Sequence, residues 1–325
     1  MAHAILVIGE AEGGALAPIA AEMLGAAKRL GAGSVGCALM GSGLDAPAKE
    51  AIAFGADEVL AVDDAALAEY NTDTYLQAVL KILEQAAPGV ILFGQTDLGR
   101  DLAPRLAFRL GTGVIMDTVE LAMEGDRLQG TRPCYGGSAR AVNVVRGDPQ
   151  IATVRAKSQD AAGRDDARQG QVTKVAAAID TSAARVKVVD RKGMPVEGVR
   201  LEDADVVVSG GRGIGGPENF AVIEELAGAL GAAVGASRAV CDLGWRPVSE
   251  QIGLTGKVVS PTLYIAVAIS GASQHMAGCS GARNIVAINK DADANIFKSA
   301  RFGIVEDFAK VMKPLIEAVK QQKGS

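Results

Sequence analysis

Apolar and polar positions alternate in blocks along the first hundred residues, and each block is long enough for one strand or helix. Short continuous apolar runs are followed by longer stretches with apolar residues three and four apart, a pattern that predicts βαβ units. Because the apolar runs have no polar face, the strands should be covered on both sides in a mainly parallel sheet. The predicted strands cover 4–10, 34–41, 58–64 and 89–97, and the predicted helices cover 16–31, 46–55, 72–86 and 98–111.

Residues 114–155 follow a different pattern. Their strand-like runs are separated by the turn sequences EGD, YGG and RGDP, which predict an antiparallel extension of the same sheet. The polar stretch 157–170 predicts an exposed loop. Together these features complete one α/β domain at the N-terminal end of the chain.

The stretch RKGMPVEG (191–198) is the predicted domain boundary, because its charged, Gly and Pro residues are typical of a linker. Strands and helices alternate again after it, with a helix over 218–230 and another near 273–278. Pro314 is predicted to begin the last helix, since proline is favoured at that position. The predicted fold class is therefore α/β with two domains, 1–192 and 193–325, each a mainly parallel sheet flanked by helices.

Composition narrows the possible functions. Aromatic residues make up only 4% of the chain, which argues against a surface that stacks single-stranded nucleic acid. The net charge of −5, with scattered basic residues, gives no polyanion-binding stripe, so nucleic acid is not an expected partner. No apolar run reaches the roughly 20 residues of a membrane span, so direct membrane insertion is not expected. Four cysteines without a CxxC pair, and a start without a secretory signal, predict a cytoplasmic protein.

A glycine-rich sequence, GGRGIGGPENF (210–220), lies between a predicted strand and a predicted helix. Its GxGxxG spacing is typical of loops that let the backbone approach a pyrophosphate. A nicotinamide site would also need an acidic residue about 20 positions later, where this chain has Ser237 and Arg238. The pattern therefore favours an anionic or electron-rich ligand beside Arg238, with a purely structural glycine turn as the alternative.

The sequence AISGASQHMAGCS (268–280) contains His275, one of two histidines in the chain, among small residues. Cys279 follows one helical turn later, but a zinc site needs further ligands, and no metal is expected. The sequence GASQH lacks the final glycine of the G-x-S-x-G element of serine hydrolases. From these residues alone, a half-buried structural histidine and a ligand-binding histidine both remain open.

The sequences GASRAVCDLGW, QIGLTGKVVSPTLYIAVAISGASQHMAGC and NIVAINKDADANIFKSARFGIVED occur in this order. Together they resemble the C-terminal region of the electron-transfer flavoprotein alpha subunit, and GRDLAPRLAFRLG resembles the N-terminal domain of that family. The resemblance implies a Rossmann-like FAD-binding domain at 193–325 and an N-terminal domain, 1–192, that associates with a beta subunit. It further implies electron transfer from flavin dehydrogenases, such as the acyl-CoA dehydrogenases of fatty acid beta-oxidation, to a membrane quinone oxidoreductase.

The resemblance also implies the residues that contact FAD. His275 would face the flavin C2 carbonyl, Thr255 would bond N5, and Arg238 would lie over the ring system, while Asn289 and Asp307 would serve the adenosine part. Small residues at 270–273 would admit the cofactor, and Leu254 stands where many family members have Gln. The complete predicted set is Arg212, Ser237, Arg238, Gln251, Ile252, Gly253, Leu254, Thr255, Ser270, Gly271, Ala272, Ser273, Gln274, His275, Asn289, Asp307 and Phe308.

Three functional alternatives remain beside this one. An electron-bifurcating form would carry a second flavin and an NADH site in the beta subunit. A nicotinamide-binding oxidoreductase subunit would use the glycine-rich loop for its pyrophosphate, and a scaffold would bind no cofactor. The predicted protein is an electron carrier rather than an enzyme that converts a substrate of its own.

Overall fold

The computed structural model describes residues 4–137, 139–190 and 199–323. The chain forms two compact units, one made of Met1–Pro133 and Arg140–Lys192, the other of Cys134–Ala139 and Gly193–Ser325. The sequence pattern does not predict that the short segment Cys134–Ala139 groups with the second unit. The predicted linker, 191–198, lies outside the described residues.

A parallel sheet flanked by helices forms the first unit. Its strands are β1 Ala4–Gly9, β2 Ala11–Glu12, β3 Ala15–Leu16, β4 Ser34–Gly41, β5 Glu58–Asp63, β6 Val90–Gly94, β7 Val114–Thr118, β8 Glu120–Glu124, β9 Arg127–Cys134, β10 Ala139–Val144, β11 Gln150–Val154 and β12 Gln171–Lys174. Its helices are α1 Pro18–Arg29, α2 Asp45–Ala53, α3 Thr72–Ala86 and α4 Asp97–Leu110. Seven of these strands form the main sheet in the order β12-β5-β4-β1-β6-β11-β7.

The predicted α/β alternation of the first hundred residues is confirmed. Every residue of β6 is buried, as its unbroken apolar sequence VILFG predicts for a strand covered on both faces. Pro18 occupies the first turn of α1, where its missing N–H costs no hydrogen bond. Two apolar clusters, one on each face of the sheet, form the core of this unit.

The region 114–155 differs from the prediction in one respect. Antiparallel strands are present, but β8, β9 and β10 form a three-stranded sheet of their own, and β7 and β11 join the main sheet as parallel strands. The burial of the strands explains this division, because every residue of β11 is buried whereas β8 alternates between exposed and half-buried positions. A strand buried on both faces belongs inside a helix-covered sheet, and an alternating strand can face solvent.

The second unit is another parallel sheet. Its strands are β13 Val206–Gly210, β14 Ala233–Ser237, β15 Gln251–Ile252, β16 Leu263–Val267, β17 Asn284–Asn289 and β18 Phe302–Val305, and its helices are α5 Phe220–Leu230, α6 Arg238–Asp242, α7 Ser273–Cys279 and α8 Phe308–Lys323. The strand order is β15-β14-β13-β16-β17-β18. Numbered within the unit, this is the order 3-2-1-4-5-6 of dinucleotide-binding folds.

The prediction that Pro314 begins the last helix is wrong. The helix α8 begins at Phe308, with Pro314 inside it. Asp307 caps the start of this helix by accepting a hydrogen bond from the Ala309 amide at 2.9 Å. Met312 and Ile316, four residues apart, are both buried in the core of the unit, so packing of this apolar face outweighs the hydrogen bond that proline cannot donate.

Candidate functional site

The carboxyl ends of the six parallel strands of the second unit lie along one edge of its sheet. The strand order reverses between β13 and β16, and in such sheets ligands bind in the crevice at this reversal. All of the predicted site residues lie at this edge, at strand ends or in the loops and helix starts that follow them. They are Arg212 after β13, Ser237 and Arg238 at β14, Gln251–Thr255 at β15, 270–275 after β16, Asn289 at the end of β17, and Asp307 with Phe308 after β18.

The glycine-rich loop is shaped by packing within the chain. A Cβ atom on Gly211 would lie 2.2 Å from the carbonyl oxygen of Ala268, and one on Gly213 would lie 3.0 Å from the same oxygen. The two loops that flank the strand-order reversal therefore touch through their main chains. Arg212, between these glycines, is exposed. The glycines thus bring the β13 loop close to the β16 loop and leave the arginine free to face a ligand.

Arg238 is an exposed residue at the first position of α6, directly after β14. Its Nε lies 3.3 Å from a carboxylate oxygen of Asp242, one helical turn later, and 66% of its side chain is exposed. An exposed ion pair of this kind contributes at most about 1 kcal/mol, so Arg238 can leave Asp242 for a ligand at little cost.

The loop after β15 is held by an internal hydrogen bond. Gln251 is buried and its Nε2 donates to Oγ1 of Thr255 at 3.0 Å. Because this bond uses Thr255 as an acceptor, the hydroxyl proton of the exposed Thr255 remains available for donation. The amide of Leu254 donates to the Gln274 carbonyl at 2.7 Å, and the Leu254 side chain is 68% exposed. The loop therefore presents one hydroxyl donor and one apolar side chain at the edge of the sheet.

The small residues at 270–273 have two different roles in the structure. Gly271 has φ of 78°, and a Cβ atom there would lie 2.2 Å from the Ile296 amide nitrogen, so the fold itself requires this glycine. Ser270, Ala272 and Ser273 are exposed, as is Gln274. The prediction that these small residues admit a cofactor can therefore apply to the exposed positions, whereas Gly271 serves internal packing.

His275 lies buried on the first turn of α7. Its Nε2 is 2.8 Å from the hydroxyl oxygen of Tyr264, a fully buried residue of β16. Its Nδ1 is buried without a hydrogen-bond partner among the described residues. Burial lowers the pKa of His275 to about 4, so the imidazole is neutral near pH 7. The Ile252 main chain lies close enough to hydrogen-bond weakly with the ring and raises this pKa slightly, but no hydrogen bond of regular geometry reaches Nδ1. A buried nitrogen without a partner is the feature expected where a ligand supplies one.

Asn289, Asp307 and Phe308 line a small pocket together with Gly213 and Lys290. The Asn289 amide donates to the Ile269 carbonyl at 2.9 Å, so this side chain also fixes the β16 loop. Lys290 was not predicted, although its position directly after a strand at this edge is a signal that could have identified it. The structure therefore brings the glycine-rich loop, the β17 end and the β18 end to one place, as expected for the distal part of an extended ligand.

No group of three or more His, Cys, Asp or Glu residues in the described ranges could hold a metal ion. Cys279 and His275 are linked within α7, since the Cys279 thiol faces the His275 carbonyl at 3.6 Å. Burial raises the pKa of Cys279 to about 12, so its thiol stays protonated. None of the helices in the described part of the chain is both long and apolar enough to cross a bilayer.

Comparison with known proteins identifies the family. Residues 5–180 match the electron transfer flavoprotein domain, and residues 200–280 match the electron transfer flavoprotein FAD-binding domain. The chain is 46% identical to the electron transfer flavoprotein subunit alpha of Thermoanaerobacterium thermosaccharolyticum, over 98% of each protein. Similarity to the alpha subunits of Bacillus subtilis (41% identity, 99% of this chain and 98% of the relative) and Megasphaera elsdenii (42%, 98% and 97%) is also nearly complete in length. The chain belongs to the alpha-subunit family of electron transfer flavoproteins, and its second domain is the FAD-binding domain of that family.

Proposed function

We propose that this chain is the alpha subunit of a heterodimeric electron carrier that holds FAD at the carboxyl edge of its second sheet. In this proposal it accepts electrons singly from flavin dehydrogenases, such as acyl-CoA dehydrogenases, and passes them to a membrane quinone oxidoreductase. The observation that supports FAD contact most directly is the buried Nδ1 of His275, which has no hydrogen-bond partner among the described residues.

The donors at this edge fit a flavin. When bound, FAD supplies the redox chemistry, and the protein supplies binding, orientation and electrostatics. Thr255 can donate its hydroxyl proton because its oxygen already accepts from Gln251. His275 can offer Nδ1, since its other ring nitrogen is engaged by Tyr264. We assign Thr255 to the flavin N5 and His275 to the C2 carbonyl, as the family resemblance implies.

Positively charged side chains at the site would stabilise a flavin ring that gains negative charge on reduction. Arg212 and Arg238 are both exposed at the crevice edge, and Arg238 has only a surface partner to exchange. A nearby cation favours added negative charge more than the neutral state. Three further predicted contacts, Asn289, Asp307 and Phe308, are assigned to the adenosine part of the cofactor because they line the pocket at the far strands.

The first domain, 1–192, is assigned to association with a beta subunit of similar fold. Its strand order also reverses, between β1 and β6, but Glu10 lies just after β1 and accepts a hydrogen bond from Thr96, the N-cap of α4, at 2.7 Å. A carboxyl group therefore occupies the helix start where an anion would bind. This arrangement favours an association role over cofactor binding for the first domain.

The proposed function is tested by coexpressing the chain with its beta subunit. The expected product is a yellow heterodimer that keeps FAD on dialysis and is reduced by an acyl-CoA dehydrogenase with its acyl-CoA substrate. The chain expressed alone should lose FAD or precipitate. A stable, flavin-loaded monomer would contradict the heterodimer, and a colourless protein that binds NADPH would instead support a nicotinamide function. One FAD and one AMP per heterodimer indicates the simple carrier, whereas two FAD indicate the bifurcating form.

Replacing Arg238 by alanine should lower the first reduction potential of the bound FAD. Loss of an exposed cation near an aromatic ring is worth about 1 kcal/mol, or about 40 mV for one electron. Arg238→Lys should restore the charge but not planar stacking. Asp242→Asn, which frees Arg238 from its carboxylate, should not lower the potential. The matched control is Arg301→Ala. Arg301 directly precedes β18 and so lies at the amino ends of the strands, opposite the candidate site. Equal potentials in the Arg238 and Arg301 variants would exclude a ring-side role for Arg238.

A further inference from the structure

Four polar side chains are buried next to the candidate site. They are Ser209 on β13, Tyr264 on β16, and His275 and Cys279 on α7. Ser209, Tyr264 and Cys279 are fully buried, and His275 is 7% exposed. Polar side chains are rarely placed in such a core without a hydrogen-bonding role. Only His275 among them belongs to the predicted cofactor contacts, so the other three need an explanation.

The hydrogen bonds of this group connect Tyr264 to the histidine. The Tyr264 hydroxyl and His275 Nε2 are 2.8 Å apart, and the thiol of Cys279 faces the His275 carbonyl. Tyr264 cannot shift easily, because its main chain pairs with Val207 on one side and with Ile285 on the other. The sheet therefore holds the hydroxyl in place, and the hydroxyl holds the imidazole through their hydrogen bond.

The hydrogen bond between Tyr264 and His275 can form with either of the two neutral tautomers of the histidine. With its pKa lowered to about 4, His275 is neutral near pH 7 and carries a single ring hydrogen, on either Nδ1 or Nε2. The hydrogen bond at one ring nitrogen determines which tautomer is present. Only the tautomer with hydrogen on Nδ1 can donate from Nδ1 to a carbonyl acceptor.

The position of the Tyr264 proton decides between the two tautomers. If Nε2 carried the hydrogen, Tyr264 would accept it and would have to give its own proton to another acceptor. Ser209 is on the same sheet face, two residues after the Val207 that pairs with Tyr264. Ser209 and Cys279 both lie close enough to the Tyr264 hydroxyl to affect its pKa, but among the described residues neither forms a hydrogen bond of regular geometry with it. His275 Nε2, at 2.8 Å, is the acceptor that has hydrogen-bond geometry.

We infer that Tyr264 donates its hydroxyl proton to Nε2 of His275 and thereby fixes the tautomer that carries hydrogen on Nδ1. Tyr264 is in this sense a positioning residue, which acts on the cofactor only through the histidine. The inference rests on the proposed function in one respect, namely that the Nδ1 hydrogen is directed at FAD. The tautomer itself is a property of this chain and can be measured separately.

Nitrogen-15 NMR of the FAD-loaded heterodimer, with histidine labelled in this chain, tests the tautomer. The chain has only two histidines, and the spectrum of His275→Ala identifies the signals of His275. The expected wild-type spectrum has a protonated Nδ1 and an unprotonated, hydrogen-bonded Nε2. It should remain so after FAD is removed, because the Tyr264 hydroxyl remains. A protonated Nε2 in the wild-type protein would overturn the inference.

Tyr264→Phe keeps the aromatic ring and removes only the donor. His275 should then become a mixture of the two tautomers. The equilibrium constant for the first reduction of FAD should fall by up to about tenfold, which lowers the first reduction potential by up to about 59 mV. Ser209→Ala, which removes the competing acceptor, should leave the tautomer unchanged. The matched control is Tyr75→Phe, which removes a buried hydroxyl that donates to Leu67 in the first unit.

The results separate this inference from the proposed function. A Tyr264→Phe protein with an unchanged His275 spectrum would overturn the positioning role, whatever its potential. A change of tautomer in Tyr264→Phe but not in Tyr75→Phe supports that role. If the potential of His275→Ala also equals that of the wild type, the histidine does not act on FAD, and the proposed contact fails while the tautomer result stands.

Discussion

Replacing His275 by alanine is expected to lower the first reduction potential of bound FAD by about 65–130 mV. A hydrogen bond to a charged group is worth about 1.5–3 kcal/mol, and one electron corresponds to about 59 mV for each tenfold change in equilibrium. His275 is suited to such a bond because its Nδ1 is buried without a partner among the described residues. In the proposed contact its donation would strengthen as the flavin gains negative charge, so the loss would fall on the reduced state.

FAD should nevertheless remain bound to the His275→Ala protein. The assigned adenosine contacts, among them Asn289 and Asp307, lie at the end of β17 and after β18 and not on α7. Potentiometric titration of the purified holoprotein measures the shift. Because the loop carries the exposed, apolar Leu254 and so offers no side-chain donor at that position for the doubly reduced ring, the expected effect concerns the first electron.

Cys279→Ala is the matched control for this substitution. Cys279 is buried on the same helix, one turn later; its thiol faces the His275 carbonyl and also lies near the Tyr264 hydroxyl. The control should lose stability through the cavity it creates, at an unchanged potential. If His275→Ala behaves in the same way, the histidine is structural. Loss of bound zinc from the His275 variant at an unchanged potential would indicate a metal site instead.

Most of the fold could be predicted because burial on both faces leaves unbroken apolar runs. The strand VILFG of β6 and the strand LYIAV of β16 are examples in the two domains. The prediction failed where packing outweighs local preference. Pro314 lies within α8 because Met312 and Ile316 anchor that helix on both sides of it. The separate three-stranded sheet was missed because strand pairing partners are not encoded in alternation alone.

The sequence predicts which residues form the candidate site, but not the contacts among them. The glycine-rich loop, His275 and the strand ends carry the family resemblance, and the parallel sheet brings them to one edge. Three features depend on distances in the folded chain that the spacing of residues along the sequence does not reveal. These are the hydrogen bond between Tyr264 and His275, the main-chain contact that requires glycine at 271, and the surface ion pair that holds Arg238.

Gly278→Ala is expected to destabilise the second domain by about 3 kcal/mol, at the upper end for an overpacked core. A Cβ atom at Gly278 would lie 2.3 Å from the amide nitrogen of Gly253 and 2.6 Å from its Cα, and main-chain atoms cannot yield as a flexible side chain can. The loop that carries Thr255 would therefore have to move away from α7, which carries His275. Both assigned flavin donors would lose their relative position, so FAD affinity should fall together with stability.

A second helical glycine provides the matched control. Gly228 lies exposed in α5, and a Cβ atom there meets nothing within 4 Å. Gly228→Ala should stabilise the protein by about 0.5–1 kcal/mol, because alanine is the better helix former. The same chemical change thus has opposite signs at the two positions, which thermal unfolding and flavin-fluorescence titration of both variants will measure. An increase in melting temperature for Gly278→Ala would contradict the close contact, and a decrease at unchanged FAD affinity would show that this contact supports the fold but not the cofactor.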